Sequence, residues 1–304
     1  MEPDVVPDVV IVGSANVDLV LPVQRIPRPG ETVLSGVMTR GPGGKGANQA
    51  VASARAGART AIVASLGMDD AGDLLRDALS GAGVDLSLVS SSSSTPTGTA
   101  IITVDDSGEN SIVVAPGANG ELTLSEEAAR VVGRAKIVLS QLEIPFATVQ
   151  EAAATSSYFI LNAAPAAELS DDLLADVDLL VVNETEAEMI AGADRSALLK
   201  RVPAAVVTLG GAGAVILTRG GDEIEVPGVQ VDVVDTTAAG DTFCGVLAAA
   251  LSAVSATDPI TASDLTNAVR RANVAASLSV QAAGAIPSVP HGDAIDARYA
   301  EVYL

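Results

Sequence analysis

Residues 8–13 read DVVIVG: an acid, four β-branched apolar residues in a row, and a glycine. A run this short and this apolar, closed by glycine, reads as a strand buried on both faces, the kind found in parallel sheets. The same type recurs in TAIVASLG (60–67), AKIVLSQLE (135–143), YFILN (158–162), VDLLVVNE (177–184) and AAVVTLG (204–210). Between these runs lie segments with helical spacing. They are KGANQAVASARAG (45–57), with Gly57 as its stop, DDAGDLLRDALSGAG (69–83), SEEAARVVG (125–133) and FATVQEAAATS (146–156). Strands alternating with helices imply an α/β fold of three layers: a mainly parallel sheet with helices on both faces. One domain spanning residues 1–304 is expected.

Two stretches break the rhythm. Residues 17–40 carry VDLVLPV and ETVLSGVMTR around Pro22, Pro27, Pro29 and Gly30. Residues 97–115 carry two alternating runs flanking DDSGEN, a hairpin signal. Neither has a helical partner, so together they are expected to form a small antiparallel sheet outside the main layer, a lid. The SSSSST run (90–95) reads as a flexible linker into it. Near the C-terminus, residues 235–254 turn through small residues into a long apolar helix. Residues 262–284 read as a second helix ended by Gly284, and AIPSVP (285–290) leads to a tail helix.

Composition narrows the function classes. Of 304 residues 48% are hydrophobic but only 2% aromatic, so the core must be built from Ala, Val, Leu and Ile. A formal net charge of −21 repels phosphate backbones and anionic lipid, which argues against nucleic-acid and membrane-surface partners. The lone Cys244 excludes an internal disulfide and fits a reducing compartment. The opening MEPDVVPDVV lacks the basic patch and long apolar run of a signal peptide, and a cytoplasmic location is expected. After DVVIVG comes SANVD, without the G-x-G-x-x-G of a dinucleotide-binding turn.

Two loops carry the chemistry. GPGGKGANQA (41–50) has four glycines and Lys45, yet Lys45 is followed by Gly46 where the phosphate loop G-x-x-x-x-G-K-[ST] requires a hydroxyl residue. DTTAAGDTFCG (235–245) runs through small residues into a helix start holding Gly240 and Asp241. Unpaired N–H groups at such a start hold anions, and an acid there can take a proton from an attacking hydroxyl. Read locally, Asp241 is more readily a helix-capping acid than a base.

With NETEAE (183–188) between them, these stretches resemble the signatures of the PfkB-type family of carbohydrate and nucleoside kinases, and the likeness covers residues 8–298. GSANVD (13–18), RPGET (28–32), PGGKGANQA (42–50) and QLEIP (141–145) are the forms expected of members that phosphorylate D-ribose. The resemblance implies transfer of the γ-phosphate of ATP to O5 of the sugar. It implies Asp241 as general base, with the amides of Ala239, Gly240 and Asp241 as anion hole. By it the glycine–lysine loop binds sugar, through Asn16, Asp18, Gly44, Lys45, Asn48 and Glu143. The nucleotide falls to Asn183, Thr208, Gly210, Gly213, Gly240 and Asn273. Glu186 falls to Mg²⁺ through water. Asp235, Thr237, Ser279, Ala282, Gly284 and Ser288 fall to an activating monovalent cation, K⁺. Thr237 departs from the apolar residue common in the family, a change its ligand role through the carbonyl tolerates. A homodimer joined through the lid strands is expected, because a small exposed sheet leaves reactive edges.

Overall fold

The structure is a computed structural model and describes residues 6–221, 223–254 and 259–304. Residues 1–5, part of the N-terminal stretch read above, lie outside the described residues. The strands are β1 (Val9–Val12), β2 (Asn16–Pro22), β3 (Thr39–Gly43), β4 (Thr60–Gly67), β5 (Val89–Ser92), β6 (Gly98–Val104) and β7 (Asn110–Ala115). They continue with β8 (Ile137–Ser140), β9 (Phe159–Asn162), β10 (Leu179–Asn183), β11 (Ala204–Thr208), β12 (Gly213–Thr218) and β13 (Glu223–Pro227). The helices are α1 (Lys45–Arg55), α2 (Asp70–Gly81), α3 (Glu126–Val132), α4 (Phe146–Thr155), α5 (Asp171–Ala175), α6 (Glu184–Ala191), α7 (Ala239–Ser252), α8 (Ala262–Ser279) and α9 (Gly292–Tyr303).

The main sheet runs β13-β12-β11-β10-β9-β8-β1-β4-β5. It is parallel from β11 to β5, with β12 and β13 added antiparallel. Alternate residues of each strand feed opposite faces, as the period of two requires. Val9 and Ile11 pack with α1, α2, α7 and α8, while Val10 and Val12 pack with α3, α4 and α5. Phe159, Leu139 and Ile160 are fully buried; each such side chain is worth roughly 1.5–3 kcal/mol over leaving it exposed. The three-layer α/β architecture expected from the sequence is present.

The helix ends follow local chemistry. Ser125 caps α3 by accepting from the Ala128 amide, and Gly57 takes φ 103° just past α1. Gly284 does not end α8. The helix stops at Ser279, and Gly284, at φ 88°, serves a turn below Asp235.

Two further expectations differ from the fold. The serine run is only half a linker: Val89–Ser92 is the edge strand β5, paired in parallel with β4, and residues 93–95 alone connect it toward β6. The lid is a four-stranded sheet, β3-β2-β6-β7, and it is mixed: β2 and β6 run parallel while the outer pairs are antiparallel. Its second strand starts only at Thr39, near the end of ETVLSGVMTR. The strand expected at 204–210 is present as β11, and it continues through a glycine turn into the antiparallel β12.

Strand order reverses at β1, which has β4 on one side and β8 on the other. In open α/β sheets ligands bind outside the carboxyl ends of the strands at such a switch point. Ser14–Asn16 follow β1 and Gln141–Glu143 follow β8. Asn162, Asn183 and Thr208 end β9, β10 and β11.

Candidate active site

The turn before α7 is set by Ala238, at φ 59° and ψ 14°, the one non-glycine residue with positive φ among the described residues. Holding alanine left-handed costs about 1–2 kcal/mol. It aims the start of α7 so that Asp241, in the first turn, points into the protein and is 7% exposed. Its carboxylate is clamped from α1: Asn48 Nδ2 donates to Oδ2 at 2.9 Å and Gln49 Nε2 donates to Oδ1 at 3.0 Å. Gly245, one turn on, makes the approach of α7 to α1 feasible. A Cβ there would lie 2.3 Å from the Gln49 carbonyl oxygen.

Glu143 accepts from the Ser14 hydroxyl at 2.6 Å and from the Lys45 amide at 3.3 Å. Asn16 Oδ1 accepts from Asn119 Nδ2 at 2.7 Å. Gly44, at φ 91°, could carry no side chain, since a Cβ would sit 2.5 Å from the Asn16 amide nitrogen. The predicted sugar ligands therefore lie in one polar cluster, and their charges interact. Burial, then the charges of Glu143 and Asp241, push the Asp18 carboxyl up to about 7. The Lys45 ammonium is pushed up, first by Asp241 and further by Glu143 and Glu186, against its burial. The buried Asn48 Oδ1 has no partner among the described residues, leaving an acceptor inside the cluster.

Ala239 and Gly240 line a neighbouring pocket of about 280 Å³ with Thr208, Gly210, Gly213, Phe243 and Asn273. Five of the predicted nucleotide residues thus meet there; Asn183 does not line it. Asn273 is buried and donates to the carbonyls of Val226 (3.2 Å) and Pro227 (3.3 Å), so it also ties α8 to the end of β13. Of the three predicted anion-hole amides, that of Ala239 donates to the Thr236 carbonyl at 3.2 Å. Those of Gly240 and Asp241 have no partner among the described residues.

Asn183 and Glu186 form a reciprocal capping box on α6, each bond 2.8 Å, which uses Glu186 Oε2. Burial raises the Glu186 carboxyl, partly offset by the Asn183 amide and Lys45. Asp235 accepts from the amides of Thr237 and Gly284, both at 2.8 Å. Ser288 is buried and donates to the Ala285 carbonyl at 2.8 Å. Among the described residues no group of three or more His, Cys, Asp or Glu stands ready for a metal ion. Cys244 is buried, and burial followed by the Asp241 charge pushes its thiol up, so it is an inert core residue.

Sequence reading missed Ser14, Gln49, Asn119, Gln141 and Asn162. Ser14, Gln49 and Gln141 lie in the same motifs as the residues singled out, and Asn162 ends the strand run YFILN. Asn119, in a 3-10 turn (Gly117–Glu121), left no signal.

The sequence profile described as pfkB family carbohydrate kinase matches residues 6–292. The chain belongs to this family. It is 36% identical over 297 residues to a ribokinase of Haemophilus influenzae, covering 92% of this chain and 94% of that one. A bifunctional ribokinase/ribose-5-phosphate isomerase A of Fructilactobacillus sanfranciscensis is 38% identical over 305 residues; the chain spans 55% of that relative's length. The structure of Arabidopsis thaliana ribokinase complexed with ribose and ATP superposes with a TM-score of 0.85 at 33% identity, over 96% of this chain and 98% of that one. The pfkB-type reaction, transfer of phosphate from ATP to a sugar hydroxyl, is therefore the activity class of this chain. Among the described residues no helix is long and apolar enough to cross a membrane.

Proposed function

We propose that the chain phosphorylates D-ribose at O5, giving D-ribose 5-phosphate and ADP. One observation carries the reading. The Asp241 carboxylate is held against the polar cluster by α1, while its chain neighbours Ala239 and Gly240 line the adjacent pocket. A hydroxyl in the cluster and a phosphate in the pocket would meet at that residue.

In this reading Asn16, Asp18, Gly44, Lys45, Asn48 and Glu143 hold the sugar. Its hydroxyls both donate and accept, and this set offers both roles. Asp241 takes the O5 proton as O5 bonds to the γ-phosphorus. The bond from that phosphorus to its bridging oxygen breaks, and the electron pair leaves on ADP. Charge on the transferring group is met by the amides of Gly240 and Asp241 and by the helix N-terminus, with the Ala239 amide joining as it gives up its bond to Thr236. Lys45 adds a fixed positive charge.

Among the described residues Glu186 bonds through Oε2, which leaves the other oxygen for a water of Mg²⁺, and Asn183 stands beside it. Mg²⁺ supplies charge neutralisation to the phosphates when bound. In the same reading Asp235, the carbonyls of Thr237, Ser279, Ala282 and Gly284, and the Ser288 hydroxyl would supply an oxygen set rich in carbonyls; the bonds of Asp235 to Thr237 and Gly284 support it. It suits a large, weakly hydrated ion such as K⁺, whose binding would order the turn before α7. The exposed apolar lid residues Ile112, Val113 and Val114 support a homodimer formed through the lid strands.

The test is ADP release from ATP and Mg²⁺ over a panel of free sugars, deoxyribose included, with and without K⁺, for wild type and Asp241→Asn. Ribose-dependent turnover that K⁺ raises and the substitution nearly abolishes is the expected result. Turnover on another sugar alone would keep the mechanism and replace the substrate. Ribose binding without any turnover would make the chain a sugar binder.

A further inference from the structure

A chain of side-chain amides leads from Asp241 to Gln141 and Asn162. Gln49, fully buried on α1, sits at its centre. Its nitrogen donates to Asp241 Oδ1 at 3.0 Å and to Asn162 Oδ1 at 3.1 Å. Its oxygen accepts from Gln141 Nε2 at 2.6 Å. Asn162 in turn donates to the Val181 carbonyl at 3.4 Å. The direction of every amide is thereby set. A flipped Gln49 would put its oxygen against two acceptors and leave Gln141 donating to nothing. Gln141 is itself fully buried, and its oxygen has no partner among the described residues. A Cβ on Gly13 would come within 2.1 Å of that oxygen, so glycine at the end of β1 makes room for the chain.

Burying three amides in a core of Ala, Val and Leu costs free energy unless the hydrogen bonds made there matter. The flanking α1 positions Ala50, Val51 and Ala52 are apolar and equally buried. What distinguishes position 49 is the carboxylate it faces. Asn48 alone would fix one oxygen of Asp241 and leave its plane free to turn; a second donor on the other oxygen fixes the plane. We infer that Gln49 is a positioning residue for the reaction, orienting the Asp241 carboxylate through a directed relay from Gln141. The inference rests on Asp241 being the base.

Gln49→Met keeps the length and removes the donor. The expected result is a fall in kcat of roughly 10–100-fold, the scale of a misplaced catalytic group, with the sugar KM held within about threefold. Placed in Asp241→Asn, Gln49→Met should produce no further loss, since it acts through that carboxylate. Gln49→Glu keeps shape and volume, and it can donate to Oδ1 only when protonated. Its kcat relative to wild type should therefore rise as pH is lowered from about 8 to about 6. This arm decides the matter if thermal melting shows that Gln49→Met is not folded. Wild-type kcat in the folded variants, or an equal fractional loss in the Asp241→Asn background, would overturn the inference. Wild-type kcat in Asp241→Asn alone would instead overturn the assignment of the base.

Discussion

Asn119 donates a 2.7 Å hydrogen bond from its side-chain nitrogen to the side-chain oxygen of Asn16. The bond fixes the orientation of the Asn16 amide: its oxygen faces Asn119, so its nitrogen is the end left to donate to a ligand. Asn119 is buried, and it also accepts from the Ala15 amide (2.9 Å) and donates to the Ala15 carbonyl (3.2 Å). Asn119→Asp keeps the acceptor for Ala15 and turns an acceptor on Asn16, forcing Asn16 to flip. The sugar KM should rise by roughly tenfold or more, because a reversed amide meets a hydroxyl pattern it was not built for. Urea denaturation should show a loss of about 1–3 kcal/mol from the groups left unpaired. An unchanged KM would mean that Asn16 does not read the sugar through that nitrogen.

Asn119 also marks the limit of what the sequence disclosed. The parallel core was legible because Val, Ile and Leu cluster in short runs between helical segments. Glu143, Asp241 and Asn48 were legible because motifs named them. Gln49 adjoins Asn48 in the same motif, yet on a helix it points about 100° away, into the core, where a polar residue signals nothing until its partner is known. Asn119 and Asn162 lie far in sequence from the groups they hold. The mixed lid escaped for a related reason: β2 and β6 lie some eighty residues apart, and their polarity depends on where the chain travels between them. The serine edge strand escaped because its hydrogen bonds are made by backbone, which leaves no mark on side-chain pattern.

Asp18 carries a pH signature. Burial and the charges of Glu143 and Asp241 raise its carboxyl from the ordinary 3.8 to about 7. Between these values the folded chain holds a proton that the unfolded chain has released. The stability this group contributes is therefore full below about pH 4 and is lost as pH rises through about 7. Asp18→Asn is neutral at every pH and escapes the loss. Urea unfolding of both proteins at a series of pH values should show the variant's advantage growing across that window and levelling off above it. A difference that stays flat from acid to neutral pH would refute the burial argument.

Gly44 and Gly57 separate strain from collision. Both have positive φ, 91° and 103°. A Cβ on Gly44 would lie 2.5 Å from the Asn16 amide nitrogen and 2.9 Å from the Ala15 Cα, backbone that cannot step aside; a Cβ on Gly57 would meet nothing within 4 Å. Gly57→Ala should cost about 1–2 kcal/mol, the left-handed penalty alone, and leave turnover unchanged. Gly44→Ala should cost more and should also lower kcat/KM for the sugar, because Asn16 is displaced with its backbone. Equal thermal shifts with equal activity would show that the loop absorbs the added carbon.

Asp235 joins two loops that the sequence keeps far apart. Burial raises its carboxyl, but hydrogen bonds from Thr237 and Gly284 outweigh burial and hold it below the ordinary range. A depressed carboxylate contributes stability that is present above its unfolded pKa and is lost as pH falls through the folded one. The same two bonds brace the turn leading to Ala238 and thus the start of α7. Asp235→Ala should release both amides and remove the one carboxylate from the proposed cation set. Turnover measured against KCl, with choline chloride at equal ionic strength as the control, should then lose its K⁺ response. The sugar KM should change little, because Asp235 does not touch the polar cluster. A variant that keeps the full K⁺ response would place the ion elsewhere and leave Asp235 as a brace for the loop.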